Sequence, residues 1–195
     1  MIDAFLAAED DSFFEHKGIA VSGLLRAAME LVTTGQIRSG GSTITMQVAR
    51  NFFLSKRKEF TRKFNEILLA FKIEDELTKQ EILSLYANKI YMGNRAYGVG
   101  AAAQVYYGKT LDQLSLAEMA MIAGLPKAPS KYNPIARPER ALQRRNWILG
   151  RMLDLKKISK PEYQAAINEP DMARYHGSIA KIDAAYAAEM VRQQV

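Results

Sequence analysis

Glu9-Asp10-Asp11-Ser12-Phe13-Phe14-Glu15-His16-Lys17-Gly18 gathers four carboxylates, two phenylalanines and one of the chain's two histidines into one stretch. Adjacent acids repel, and a carboxylate set against rings is costly to desolvate. The same surroundings raise an acid's pKa, which suits a general base or acid. The structural alternative is a solvated helix end, with Phe13 and Phe14 in the core and His16 as a hydrogen-bonded structural residue.

Two further stretches carry chemical potential. From Arg50 to Lys63 the chain interleaves Arg50, Lys56, Arg57, Lys58, Arg62 and Lys63 with Phe52, Phe53, Leu54 and Phe60. Cations among large apolar side chains suit a segment that dips rings into lipid and holds phosphates; base stacking on nucleic acid and a loop with snorkelling lysines are the alternatives. Gly40-Gly41-Ser42-Thr43 exposes backbone amides ahead of a helix, as a phosphate cradle does, but it lacks the spacing of a nucleotide-triphosphatase loop. No His-rich or Asp-rich metal spacing is present.

The elements that must position these residues read as helices. Leu24, Leu25, Ala28, Met29 and Val32 recur at helical spacing up to a stop at Gly35, and a helix begins after the glycines and runs towards Asn51. Phe60, Phe64, Ile67, Leu68 and Phe71 share one helical face. Arg62, Lys63 and Glu66 take the opposite face, which Ala70 and Ile73 share, so that face is expected to be partly covered rather than fully solvated. Ser/Thr-x-x-Glu capping boxes at Thr78 and Glu81, Ser115 and Glu118, and Ser159 and Glu162 mark three helix starts. Gly124 and Pro126 end the second of these helices, and Pro138 opens another that runs to about Lys156. No period-two run demands a sheet, and beyond Pro170 the pattern weakens. The reading is one mostly α-helical domain over residues 1–170, with 171–195 starting a linker.

The chain has 195 residues, 48% of them hydrophobic, which is enough for one substantial core. With no cysteine, disulfides, thiolate nucleophiles and thiolate metal sites are excluded. A formal charge of +6 favours anionic partners. No apolar run is long enough to span a bilayer, so work at a membrane requires an anchor outside these residues.

Together the stretches resemble the peptidoglycan glycosyltransferase domain of class A penicillin-binding proteins and monofunctional transglycosylases. Glu9-Asp10-x-x-Phe13-x-x-His16-x-Gly18 is similar to that family's first motif, Gly40-x-Ser42-Thr43-Ile44-Thr45-x-Gln47 to its second, and Arg62-Lys63-x-x-Glu66 to its third. Ile82-Leu83-x-x-Tyr86-x-Asn88-x-Ile90-Tyr91-x-Gly93, followed by Gly98-x-x-Ala101-Ala102, is similar to the fourth region. Met46, Arg50 and Ala87 depart mildly from the usual glutamine, lysine and leucine, changes expected to alter contacts beside the donor site.

The resemblance implies an all-α, lysozyme-like fold with a larger globular lobe and a smaller apolar lobe that contacts the membrane. It implies polymerisation of lipid II onto a growing glycan chain. Glu9 would be the base and Glu66 a second catalytic carboxylate near the leaving diphosphate. Arg50, Lys58, Arg62 and Lys63 would meet that diphosphate, with or without a divalent cation, Mg or Mn. Ser42, Thr43 and Gln47 would hydrogen-bond the donor, and Asp10 and His16 complete the substrate-binding set. The implied location is the outer, periplasmic face of the bacterial cytoplasmic membrane, with lipid II, the membrane surface and other cell-wall synthesis proteins as partners and no nucleic acid. The resemblance also implies a second, transpeptidase domain beyond the linker. The rivals are a lysozyme-like glycan hydrolase and a non-catalytic helical module that binds anionic lipid. A hydrolase of neutral glycan has no use for a diphosphate-binding basic loop.

Overall fold

A computed structural model describes residues 1–35, 41–53 and 59–177, apart from the side chains of 22, 24, 26–28, 30, 31 and 59–62. Lys58 and the segment from Asp183 onward lie outside the described residues, as do the side chains of Phe60 and Arg62. Among the described residues there is no β-strand, only an isolated antiparallel bridge between Tyr91 and Tyr97. The expected all-α class holds.

The centre is α1 (Ile2–Glu9), whose apolar middle, Ala4 to Ala7, is wholly buried. It packs on α7 (Leu116–Ala123) and α8 (Pro138–Asp154). Phe5 meets Tyr86 of α5 (Lys79–Lys89) edge to face, with ring centroids 5.8 Å apart. Truncating a ring so placed to alanine costs about 3–5 kcal/mol. On the other side, α3 (Ile44–Phe53) packs between α4 (Glu59–Glu76) and α5. The effect is to hold Glu9, at the end of α1, beside α3.

All three expected capping boxes form. Thr78, Ser115 and Ser159 each accept from the backbone N–H three residues on, and Glu81, Glu118 and Glu162 each reach back to the cap's own N–H. Each such cap contributes about 1 kcal/mol, because it satisfies donors that the first helical turn leaves unpaired. After α9 (Lys160–Asn168), Arg145 donates to the carbonyls of Ile167 and Glu169 at 3.1 and 2.8 Å. The chain then returns along the end of α6 (Val99–Tyr107), where Arg174 N–H bonds Tyr106 O and His176 N–H bonds Val105 O.

The amphipathic α4 sits apolar side out. Phe64 and Leu68 are 63% and 52% exposed, whereas Glu66, Ala70 and Ile73 are buried. The expected cover over the Glu66 side is therefore deep, and it is the apolar face that meets solvent. Leu25, Met29 and Val32 of α2 (Val21–Thr34) and Phe52 and Phe53 at the end of α3 are also exposed. No helix among the described residues is long and apolar enough to cross a membrane.

Candidate functional site

A cleft of about 800 Å³ opens where the end of α1, the start of α3 and one face of α8 converge. Glu9 lines it. Gln47 donates from Nε2 to Glu9 Oε2 at 2.9 Å, while Glu9 Oε1 is buried and accepts no hydrogen bond. Burial pushes the Glu9 pKa above the usual carboxylate range; the Gln47 hydrogen bond and the charges of Arg144, Lys127 and Arg50 pull the other way. A carboxylate with one oxygen held by Gln47, the other bound by no donor and a raised pKa is equipped to remove a proton.

The residue next to Glu9 works differently. Asp10 Oδ2 accepts from Ile44 N–H at 3.0 Å, and His16 Nε2 lies 2.9 and 3.1 Å from the two Asp10 oxygens. Thr43 Oγ1 accepts from Met46 N–H at 3.2 Å and donates to Gly18 O at 2.6 Å. Asp10 and Thr43 thus satisfy the leading amides of α3, and a carboxylate at that positive helix end is electrostatically favoured. Both residues line the cleft, but these polar atoms are already engaged; His16 is not part of the lining and stands behind Asp10. Phe13 is fully buried, as the structural alternative expected, whereas Phe14 is exposed.

The third motif meets the second through one lysine. Lys63 Nζ donates to Ser42 Oγ at 2.7 Å and to Glu66 Oε2 at 3.2 Å. Ser42, Gln47 and Arg50 line the cleft, whereas Lys63 and Glu66 stand behind Ser42, with Glu66 only 2% exposed. Among the described residues no three of His, Cys, Asp or Glu gather to hold a metal ion. Glu66, the carboxylate that the family resemblance sets near the leaving diphosphate, is paired with Lys63. Met46 is fully buried and is not part of the cleft lining, so its departure from the family pattern does not touch the cleft.

Sequence reasoning missed an entire wall. Gln143, Arg144, Trp147 and Arg151 of α8 line the cleft, joined by Lys127 and Tyr132 from the preceding loop. Their positions, at steps of one, three and four along a helix, were a readable signal, as was the chain's one tryptophan. Trp147 is 48% exposed there. At the rim, Arg151 Nη2 donates to Asp11 Oδ2 at 2.6 Å across 140 residues of sequence.

The family model described as Transglycosylase matches residues 1–153. The chain is 60% identical over 194 residues to penicillin-binding protein 1A of Pseudomonas aeruginosa, covering 100% of the chain and 24% of that protein. To penicillin-binding protein 1A of Escherichia coli it is 53% identical over 195 residues, covering 100% of the chain and 23% of that protein. The crystal structure of penicillin-binding protein 1A from Haemophilus influenzae matches with a TM-score of 0.50 and 47% identity, over 76% of this chain and 19% of that one. The chain thus spans about a quarter of the length of the curated relatives it matches.

Proposed function

The chain belongs to the transglycosylase family, and from that premise we propose that it polymerises lipid II into β-1,4-linked glycan, with Glu9 as the general base. The observation that carries this reading is Glu9 in the wall of the cleft, with Oε1 buried and bound by no hydrogen-bond donor. A sugar 4-hydroxyl is a weak nucleophile until its proton is taken. As Glu9 takes that proton, the hydroxyl oxygen bonds to the anomeric carbon of the donor and inverts it. The bond to the lipid diphosphate breaks, and the diphosphate leaves with the bonding electron pair.

Negative charge grows on that leaving group, so cations fixed nearby stabilise the transition state more than the ground state. Arg50 and Lys63 are the described cations assigned to it, with Lys58 and Arg62 beside them in sequence. Glu66 orients Lys63, and Ser42 and Gln47 hydrogen-bond the donor. Asp10, Thr43 and His16 hold the front of α3, and through it Ser42 and Gln47. No step is assigned to Mg or Mn.

The exposed apolar side chains of α2, α3 and α4 support docking at the outer face of the cytoplasmic membrane, where a lipid-linked substrate lies. The test of function is incubation with lipid II in detergent followed by glycan-length analysis. A ladder of products with release of undecaprenyl diphosphate is expected. A folded protein that yields no ladder, or that shortens preformed glycan instead, overturns the reading.

A further inference from the structure

Arg144 is a buried cation surrounded by groups that hold it beside Glu9. It is 7% exposed, its Nη2 donates to Ala8 O at 3.2 Å, and the same nitrogen stands 3.6 Å from Glu9 Oε1. The Trp147 indole covers the guanidinium, with Cζ 4.3 Å from the ring centroid. Gly124 makes room for the stem: a Cβ there would come within 2.9 Å of Arg144 Cγ. The Gly124 φ of −77° is open to any residue, so the glycine answers to space rather than to backbone conformation.

The 3.6 Å separation is too long for a hydrogen bond, yet close enough to stabilise a charge. A guanidinium bonded directly to Oε1 would block the atom that takes the proton and would weaken it as a base. One held just out of reach leaves the lone pairs free. We propose that Arg144, fixed by Trp147, Ala8 and Gly124, is the positioning residue that keeps Glu9 ionised while leaving Oε1 without a hydrogen bond, so that it can take the acceptor's proton. This rests on the reading of Glu9 as base.

The other groups facing Glu9 are Gln47 and Arg50 of α3, Lys127 of the loop before α8, Tyr86 of α5 and the neighbouring Asp10. Among the described residues, Arg144 is the cation within ion-pair distance. Its charge favours the carboxylate, so its loss moves Glu9 further towards the protonated form.

The test compares kcat/KM against pH on lipid II for the intact protein and for Arg144→Gln, Arg144→Lys and Gly124→Ala. A carboxyl carbon NMR titration of Glu9, assigned with Glu9→Gln, runs alongside. Arg144→Gln should move the acid limb to higher pH, with a loss of at least about tenfold at neutral pH that recovers as pH rises. Gly124→Ala should move the limb the same way by less, and Arg144→Lys should fall between, since it keeps charge but loses the planar stack. A loss uniform across pH, or a Glu9 resonance that titrates alike in parent and Arg144→Gln, overturns the proposal. Should Arg144→Gln not fold, Gly124→Ala is read by the same two measurements. If the parent makes no glycan, the functional reading fails, and the titration still decides whether Arg144 governs Glu9.

Discussion

Gln47 and Glu9 are bonded at 2.9 Å across 38 residues of sequence, which fixes one carboxylate oxygen and leaves the other buried without a hydrogen bond. Glu9→Gln should therefore lower turnover by about two to four orders of magnitude. The ionised form of Glu9 is the active one and its pKa lies above the usual range, so the acid limb of activity should lie above that of an ordinary glutamate. A raised folded-state pKa also means that the stability Glu9 contributes is present at acid pH and lost as pH rises through that value. Glu9→Gln should then leave the unfolding midpoint at neutral pH unchanged or slightly higher. Turnover within a few-fold of the parent would remove Glu9 from the mechanism.

Lys63 separates leaving-group stabilisation from surface charge. Its side chain is 41% exposed, so loss of its ion pair with Glu66 should cost at most about 1 kcal/mol. Lys63→Ala should nevertheless slow turnover at least about tenfold, with little change in apparent substrate affinity. Lys63→Arg should recover part of the rate. Polymerisation by the alanine variant at the parent's rate would assign the leaving group to other cations.

Asp10 distinguishes a structural from a substrate-binding carboxylate. Asp10→Ala strips Ile44 N–H and His16 of their partner and should cost about 2 kcal/mol. For a chain of this size the unfolding midpoint should fall by roughly 4–8 °C. An unchanged midpoint with activity lost would instead place Asp10 in contact with substrate.

The exposed pair Phe52 and Phe53 tests membrane docking. Replacing both with serine should weaken flotation with anionic liposomes, and salt should weaken what remains. Because both rings already face solvent, thermal stability should hardly move. Unchanged flotation would locate the contact elsewhere.

By itself the sequence determined what depends on near neighbours. A capping box closes within three residues, and the helices it marks at Thr78, Ser115 and Ser159 form as expected. Helical periodicity showed that α4 has two faces, and Ala70 and Ile73 pointed to cover over the Glu66 side. It could not say how deep that cover is, since exposure depends on what packs there. The tertiary structure buried Glu66 and left Phe64 and Leu68 outside. Gly124 read as a helix stop, but what requires glycine is the Arg144 stem, twenty positions further on. Asp10 and His16 read as contacts for substrate; only the fold showed that Asp10, in the cleft wall, also accepts from the first amide of α3, and that His16 stands behind it. The α8 wall was the largest omission: helical spacing sets Arg144 and Trp147 on one face, but nothing local tells that this face packs beside α1. Only that packing brings a guanidinium to Glu9 from the far end of the domain, and charge separated by more than a hundred residues acts through space alone.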